Sequence, residues 1–152
     1  MKIVVFDFDK TLTVVHTGGK PIIGVDYFSG YLPLITEYLR TYRQKGWKVY
    51  INTRGIQSAV IRYLNSVDLS KYIDGVYGAH NMEELNGSGW AERKVSILHT
   101  IRQLHDETPN NIYFFDDTKE NILAAKQAGY ANSYVVTNTK GVPVPGVIFD
   151  CD

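Results

Sequence analysis

Apolar and polar positions alternate along this chain with two different periods, and the period switches several times. Residues 2–6, 47–52, 75–77, 111–115 and 133–136 are short apolar runs of strand length. Between them, apolar residues recur at helical spacing. Leu34, Ile35, Tyr38, Leu39 and Tyr42 mark a helix over residues 33–45, stopped by Gly46. Ala59, Val60, Tyr63 and Leu64 share one face of a helix over residues 57–64. Val95, Leu98, Ile101 and Leu104 carry a helix over residues 91–105, and residues 119–127 form another, closed by Gly129. This strict alternation predicts an α/β fold, a Rossmann-like three-layer α/β/α sandwich with a parallel sheet of about five strands. Two segments break the pattern. Residues 12–30 hold Gly18, Gly19, Pro21 and Gly24 among apolar neighbours, which reads as a small hairpin or flap after the first strand. Residues 78–89 are polar and glycine-bearing, which reads as a loop. Neither is long enough for a domain of its own, so residues 1–152 are expected to form one.

Composition changes this picture little. Sixteen basic and sixteen acidic side chains cancel, so overall charge argues against a nucleic-acid partner or a membrane surface. No apolar run approaches the length of a membrane span, and the first residues lack the pattern of a secretory signal, so the expected location is cytoplasmic. The single cysteine, Cys151, excludes an intramolecular disulfide and reads as an inert thiol near the end of the sequence. His99 and His105 are too far apart on one helix for metal-ligand spacing, and no zinc constellation is present in the sequence.

Ligands of open parallel sheets bind at the carboxyl ends of the strands, near the point where strand order reverses. The polar residues that end the expected strands are therefore the candidate chemistry. Asp7, Asp9 and Thr11 follow the first strand. Where the chain is still extended, Asp7 and Asp9 should face the same way, and two like charges there call for a cation between them. Mg²⁺, a hard ion that prefers oxygen ligands, suits such a pair. Thr53 and Arg54 close the second strand, Lys94 opens the helix before the fourth, and Asp116, Asp117, Thr118 and Asn121 follow the fourth. Each cluster alone is ordinary: threonine after a strand is commonly a cap, and Asp116-Asp117 alone could be a helix N-terminus. Their arrival in this order on successive strand ends is not ordinary.

With these motifs the chain resembles the haloacid dehalogenase-like superfamily of phosphohydrolases over nearly its whole length. The resemblance implies that Asp7 is a nucleophile forming an aspartyl-phosphate, with Asp9 as general acid and base. It implies a Mg²⁺ cofactor held by Asp7, the Asp9 backbone and an acid of the fourth motif. Asp117 aligns best with that acid when Asn121 is placed four residues on, and Asp116 remains the alternative. Thr53 and the amides beside Asp9 would hold phosphoryl oxygens, and Lys94 would mask charge. Thr11, Arg54 and Asn121 would stand on the substrate side. Keeping Asp9 favours phosphate esters over halides as substrates, because a halide leaves without a proton.

No interval is long enough for a cap domain, so the chain resembles capless magnesium-dependent phosphatases with an open site. A phosphorylated macromolecule, a phosphotyrosine-like phosphoprotein, is the leading substrate expectation. The alternatives are a sugar phosphate, a nucleotide, a nucleic-acid 3′-phosphate, or a non-catalytic binding domain. Tyr27, Phe28 and Tyr31 either pack on an aryl ring or staple the flap to the core, and aromatics more often do the latter. His16, Lys20 and Arg54 are the loop residues placed to meet substrate, although solvated loop positions are the commoner use of each.

Overall fold

The computed structural model describes residues 1–136, and Cys151 lies outside them. Five parallel strands form one sheet: β1 (Ile3–Phe6), β2 (Lys48–Ile56), β3 (Gly75–Ala79), β4 (Ile112–Asp116) and β5 (Ser133–Val135). Their order across the sheet is β3-β2-β1-β4-β5. The α-helices are α1 (Leu32–Gln44), α2 (Gln57–Ser66), α3 (Met82–Leu85), α4 (Trp90–Leu104) and α5 (Lys119–Gln127). Among the described residues no helix is long and apolar enough to cross a membrane.

The alternation of β1 explains the three layers. Val4 and Phe6 pack with Ile35, Leu39 and Tyr42 of α1 and with Val60, Tyr63 and Leu64 of α2. Ile3 and Val5 pack with Leu98 and Ile101 of α4 and with Ile122 and Ala125 of α5. Successive side chains leave a strand on opposite faces, so α1 and α2 cover one face and α4 and α5 the other. Tyr50 of β2 and Phe114 of β4 belong to the α4 side. Two residues beyond Val5, Tyr50 and Phe114 stand Asp7, Asn52 and Asp116. The same parity turns all three polar side chains towards α4. Phe6 pairs with Ile51 and with Phe115, so these three residues also lie at one level across neighbouring strands. The chain runs from β1 outward to β2 and β3, then returns to β4 on the other side of β1, which puts the reversal of strand order at the β1/β4 crevice.

Three details differ from the sequence reading. β2 runs on to Ile56, past the apolar run, because Ile56 pairs with Ala79 after a register shift and its N–H donates to the Gly19 carbonyl at 2.8 Å. Residues 78–89 are not all loop. Asn81 caps α3 by accepting from the Glu84 N–H at 2.9 Å, and the Glu84 carboxylate accepts from the His80 N–H at 2.8 Å. Residues 12–30 form no β-hairpin; they are a series of turns whose ties include bonds from the Val14 N–H to the Tyr27 carbonyl at 2.8 Å and from the Ile22 N–H to the Tyr27 hydroxyl at 2.9 Å. Tyr27 and Phe28 are buried and pack on Tyr63 of α2, so they staple the flap to the core.

Candidate active site

The sheet ladder carries one residue past β1, where the Asp7 N–H donates to the Phe115 carbonyl at 2.8 Å. The chain then turns sharply. The N–H groups of Thr11, Leu12 and Thr13 all point at the Phe8 carbonyl, at 3.3, 3.0 and 3.2 Å, and Lys10 adopts a left-handed φ of 60°. This turn corrects the expectation that Asp7 and Asp9 share a face. The Asp9 carboxylate swings to the flap, where it accepts from the Thr17 N–H at 3.0 Å and the Thr17 hydroxyl at 2.7 Å.

The carboxylates that meet Asp7 come from the end of β4 and the residue after it. Oxygens of Asp7, Asp116 and Asp117 lie within 4.8 Å of one another. Lys94 enters from the first turns of α4. Its ammonium is 3.0 Å from Asp7 Oδ1 and 2.6 Å from Asp116 Oδ2, with the side chain 3 % exposed. Asn52 anchors this helix to the sheet, its amide donating to the Lys94 carbonyl at 3.0 Å. Asp116 is fully engaged. Asn121 donates to its Oδ2 at 3.1 Å alongside Lys94, and the Thr118 N–H donates to its Oδ1 at 2.8 Å. Burial pushes the Asp7 carboxyl well above the usual carboxylate range; Asp116 and Asp117 push the same way, and Lys94 offsets them only in part. Burial alone would favour a neutral Lys94 amine, but Asp7 and Asp116 outweigh it and hold the ammonium above the ordinary lysine range.

Three carboxylates facing one ammonium leave the ionised cluster short of positive charge. A hard divalent cation with oxygen ligands would supply the difference, so these residues fit Mg²⁺. Asp7 and Asp117 would hold it, since the oxygens of Asp116 already accept from Lys94, Asn121 and Thr118. Asp116, which ends β4, and Asp117, which follows it, should therefore behave differently. Asp117→Asn is expected to weaken Mg²⁺ binding at least about tenfold in calorimetry with little change in melting temperature. Asp116→Asn is expected to cost mainly stability, because it disturbs the Lys94 and Asn121 bonds. The opposite pattern would move the metal to Asp116.

Above the cluster lies a cavity of about 520 Å³. Asp7, Asp9, Thr53, Arg54, Lys94, Asp117 and Asn121 line it, as the strand-end argument expects. Thr53 is buried, and its hydroxyl accepts from the Gly55 N–H at 2.9 Å. His16 also reaches the cavity, whereas Lys20 is exposed and is not among the lining residues. Thr11 is buried beside the turn, with a hydroxyl that has no hydrogen-bond partner among the described residues, and it does not line the cavity. Sequence reasoning passed over Asn52, Leu85, Trp90, Glu92 and Glu120. Only Asn52 carried a signal, an amide inside an apolar strand.

A family model for haloacid dehalogenase-like hydrolases matches residues 22–129, more than two thirds of the chain. The chain belongs to the haloacid dehalogenase-like hydrolase family. Among curated relatives, the enolase-phosphatase E1 of Yersinia enterocolitica is 24% identical over 151 residues, covering 86% of this chain. That alignment spans 62% of the relative's own length. Two solved structures share the fold of this haloacid dehalogenase-like hydrolase. A haloacid dehalogenase-like family protein from Streptococcus pneumoniae superposes with TM-score 0.63 at 16% identity, covering 100% of this chain and 91% of that one. The N-terminal part of a Bacteroides fragilis protein, containing a phosphatase domain complexed with Mg, gives TM-score 0.72 at 10% identity, covering 99% of this chain and 40% of that one.

Proposed function

We propose that this chain is a Mg²⁺-dependent phosphomonoester hydrolase that works through an aspartyl-phosphate on Asp7. The observation that carries the reading is the buried Asp7–Lys94–Asp116 cluster on the floor of the cavity, at the point where strand order reverses. The phosphatase names of the enolase-phosphatase relative and of the Bacteroides fragilis structure support it.

In this reading the Asp7 carboxylate attacks phosphorus and the ester P–O bond breaks. Asp9 gives the departing alkoxide its proton. Asp9 then takes a proton from the water that hydrolyses the acyl-phosphate, releasing inorganic phosphate and restoring the Asp7 carboxylate and the protonated Asp9. Lys94 places positive charge where the phosphoryl dianion approaches a carboxylate, and the Thr53 hydroxyl offers a hydrogen bond to a phosphoryl oxygen. Mg²⁺, when bound, masks the charge of the phosphoryl oxygens and of Asp7. Asn121 holds Asp116, and Asp116 holds Lys94.

Two substrate readings follow from different observations. Tyr27 and Phe28 lie in the core and do not line the cavity, and the cavity has walls on two sides, from the flap and from the segment before α4. These features favour a compact phosphate ester. A phosphoprotein substrate is favoured instead by the lack of a cap domain among the described residues and by Val15, Ile22, Ile23 and Val25, which stand exposed on the flap. A panel of sugar phosphates, nucleotides and phosphotyrosine peptides, assayed with and without Mg²⁺, separates them. Turnover is expected to vanish in excess chelator and return with Mg²⁺. Undiminished turnover after verified metal removal would sink the metal-dependent mechanism.

A further inference from the structure

The cavity has two halves. Asp7, Thr53, Lys94 and Asn121 surround the phosphate end, while Gly18 and Gly19 of the flap face Leu85, Gly87 and Trp90 across the other. This second half is held in shape by bonds that precede any ligand. Arg54 Nε donates to the Leu85 carbonyl at 2.8 Å and Nη2 to the Gly87 carbonyl at 3.1 Å. Trp90 Nε1 donates to the Glu84 carbonyl at 3.1 Å. The Arg93 guanidinium lies 4.6 Å from the centre of the Trp90 ring and bonds the Gly78 carbonyl at 3.0 Å. Opposite, Gly19 sits at φ +78°, where a Cβ would collide with Leu85 Cδ1 and come within 3.2 Å of Gly55 Cα. Flap and wall therefore touch, and the gap between them is set by the protein itself.

The charges around the cavity are also one-sided. Glu92 and Glu120 line the cavity together with Asp9 and Asp117. The positive groups that line it are already committed. Lys94 serves Asp7 and Asp116, Arg54 donates to two backbone carbonyls, and His16 Nδ1 lies 3.9 Å from the Asp9 carboxylate. A leaving group that brought a second anion would meet these four carboxylates against the single uncompensated charge of Arg54, whose guanidinium is tied to the wall by its carbonyl bonds.

We propose that Arg54 and Gly19 fix the wall of a leaving-group compartment, and that this compartment selects phosphate esters of compact neutral or cationic alcohols over those carrying a second anionic group. The proposal rests on the phosphatase reading above. It makes Arg54 a positioning residue that acts through the Leu85–Gly87 backbone.

The experiment compares glycerol 1-phosphate, ethanolamine phosphate, 3-phosphoglycerate and a phosphotyrosine peptide on the full chain with Mg²⁺, using orthovanadate as a probe that fills the phosphate end alone. Wild type is expected to show kcat/KM for the first two above 3-phosphoglycerate and the peptide. Arg54→Gln should raise KM for glycerol 1-phosphate roughly tenfold by removing two hydrogen bonds, with a smaller effect on kcat and an unchanged vanadate inhibition constant. Arg54→Lys should stay impaired, because a single ammonium does not reproduce the planar fork that reaches both carbonyls. Gly19→Ala should act in the same direction as Arg54→Gln. Glu92→Gln combined with Glu120→Gln should improve 3-phosphoglycerate roughly two- to fivefold relative to glycerol 1-phosphate.

Weakened vanadate inhibition in Arg54→Gln, or full rescue by Arg54→Lys, would place Arg54 on the phosphate and overturn the wall. A peptide preferred over every compact ester would overturn the compartment. Equal use of 3-phosphoglycerate and glycerol 1-phosphate would overturn the charge selection. A folded wild type that hydrolyses no ester and binds no vanadate would instead sink the phosphatase reading, and this proposal with it.

Discussion

Asp7→Asn is expected to abolish phosphatase turnover while raising the melting temperature of the metal-free protein. The two effects have one cause. Asp7 is 6 % exposed and shares its pocket with Asp116 and Asp117, so burial and these neighbours raise its pKa well above the ordinary value of 3.8. A carboxyl raised in this way holds its proton more tightly in the folded than in the unfolded chain. Between its unfolded and folded pKa values, rising pH therefore removes stability from the metal-free protein. An amide has the same shape and no charge to desolvate, so the variant avoids that loss. Each kcal/mol recovered should raise the melting temperature by about 2–4 °C for a chain of this size. The amide cannot form an acyl-phosphate, so turnover should fall by at least about 10⁴-fold. Beryllofluoride should form an adduct with the wild type and none with the variant. Mg²⁺ should raise the wild-type melting temperature more than that of the variant, because a ligand stabilises in proportion to its affinity for the folded state. Retained turnover in a pure Asp7→Asn preparation would mean that water attacks phosphorus directly. A variant no more stable than wild type without metal would mean that Lys94 already balances the site.

The architecture was legible because each apolar run keeps a clear period. The continuous apolar run of Ile3–Phe6 and the helical spacing of Ile35, Leu39 and Tyr42 both survive in the fold. The site was legible as a set of strand ends, with an acid of the fourth motif expected beside Asp7, and only the shared face of Asp7 and Asp9 failed. Asp7 and Asp9 are two apart in sequence, yet β1 stops at Phe6 and the Lys10 turn sends Asp9 to the flap. The partner of Asp7 is Asp116, 109 positions away, and parity alone could have found it, since Asp7 follows Val5 as Asp116 follows Phe114. The α3 turn was also within reach, because Asn81 followed by Glu84 is a capping pattern that the polar composition of the segment obscured. The role of Arg54 was not legible. Its bonds go to the Leu85 and Gly87 carbonyls, and backbone carbonyls carry no residue-type signal.

Lys94→Met should be the most destabilising single change in the site. Methionine keeps the length and flexibility of the stem, so the packing of α4 against β2 survives and the charge alone is removed. Asp7 Oδ1 and Asp116 Oδ2 then remain buried without the ammonium that sits at 3.0 and 2.6 Å. Removing one partner of a buried ion pair costs on the order of 3–5 kcal/mol, chiefly through the charge left behind. The pKa of Lys94 is raised by those same carboxylates, so its contribution is complete below the ordinary lysine value of 10.5 and is lost only as pH rises through the folded value. Neutral pH therefore shows the full deficit. Without Lys94 the Asp7 carboxyl loses the one group that lowers its pKa, so the stability of the metal-free variant should fall more steeply with pH than that of the wild type. Excess Mg²⁺ should recover part of the loss, because it restores positive charge to the same carboxylates. Melting curves from about pH 5 to 8, in chelator and in Mg²⁺, measure all three effects. Turnover at saturating Mg²⁺ should fall about 10²–10³-fold, as expected when one preorganised cation is removed from a transition state. A variant that melts with the wild type at every pH in chelator would show that the cluster is held neutral by protons rather than by Lys94. The Asp7→Asn stabilisation predicted above should then be larger, because a carboxyl that burial keeps protonated gains most from a neutral isostere.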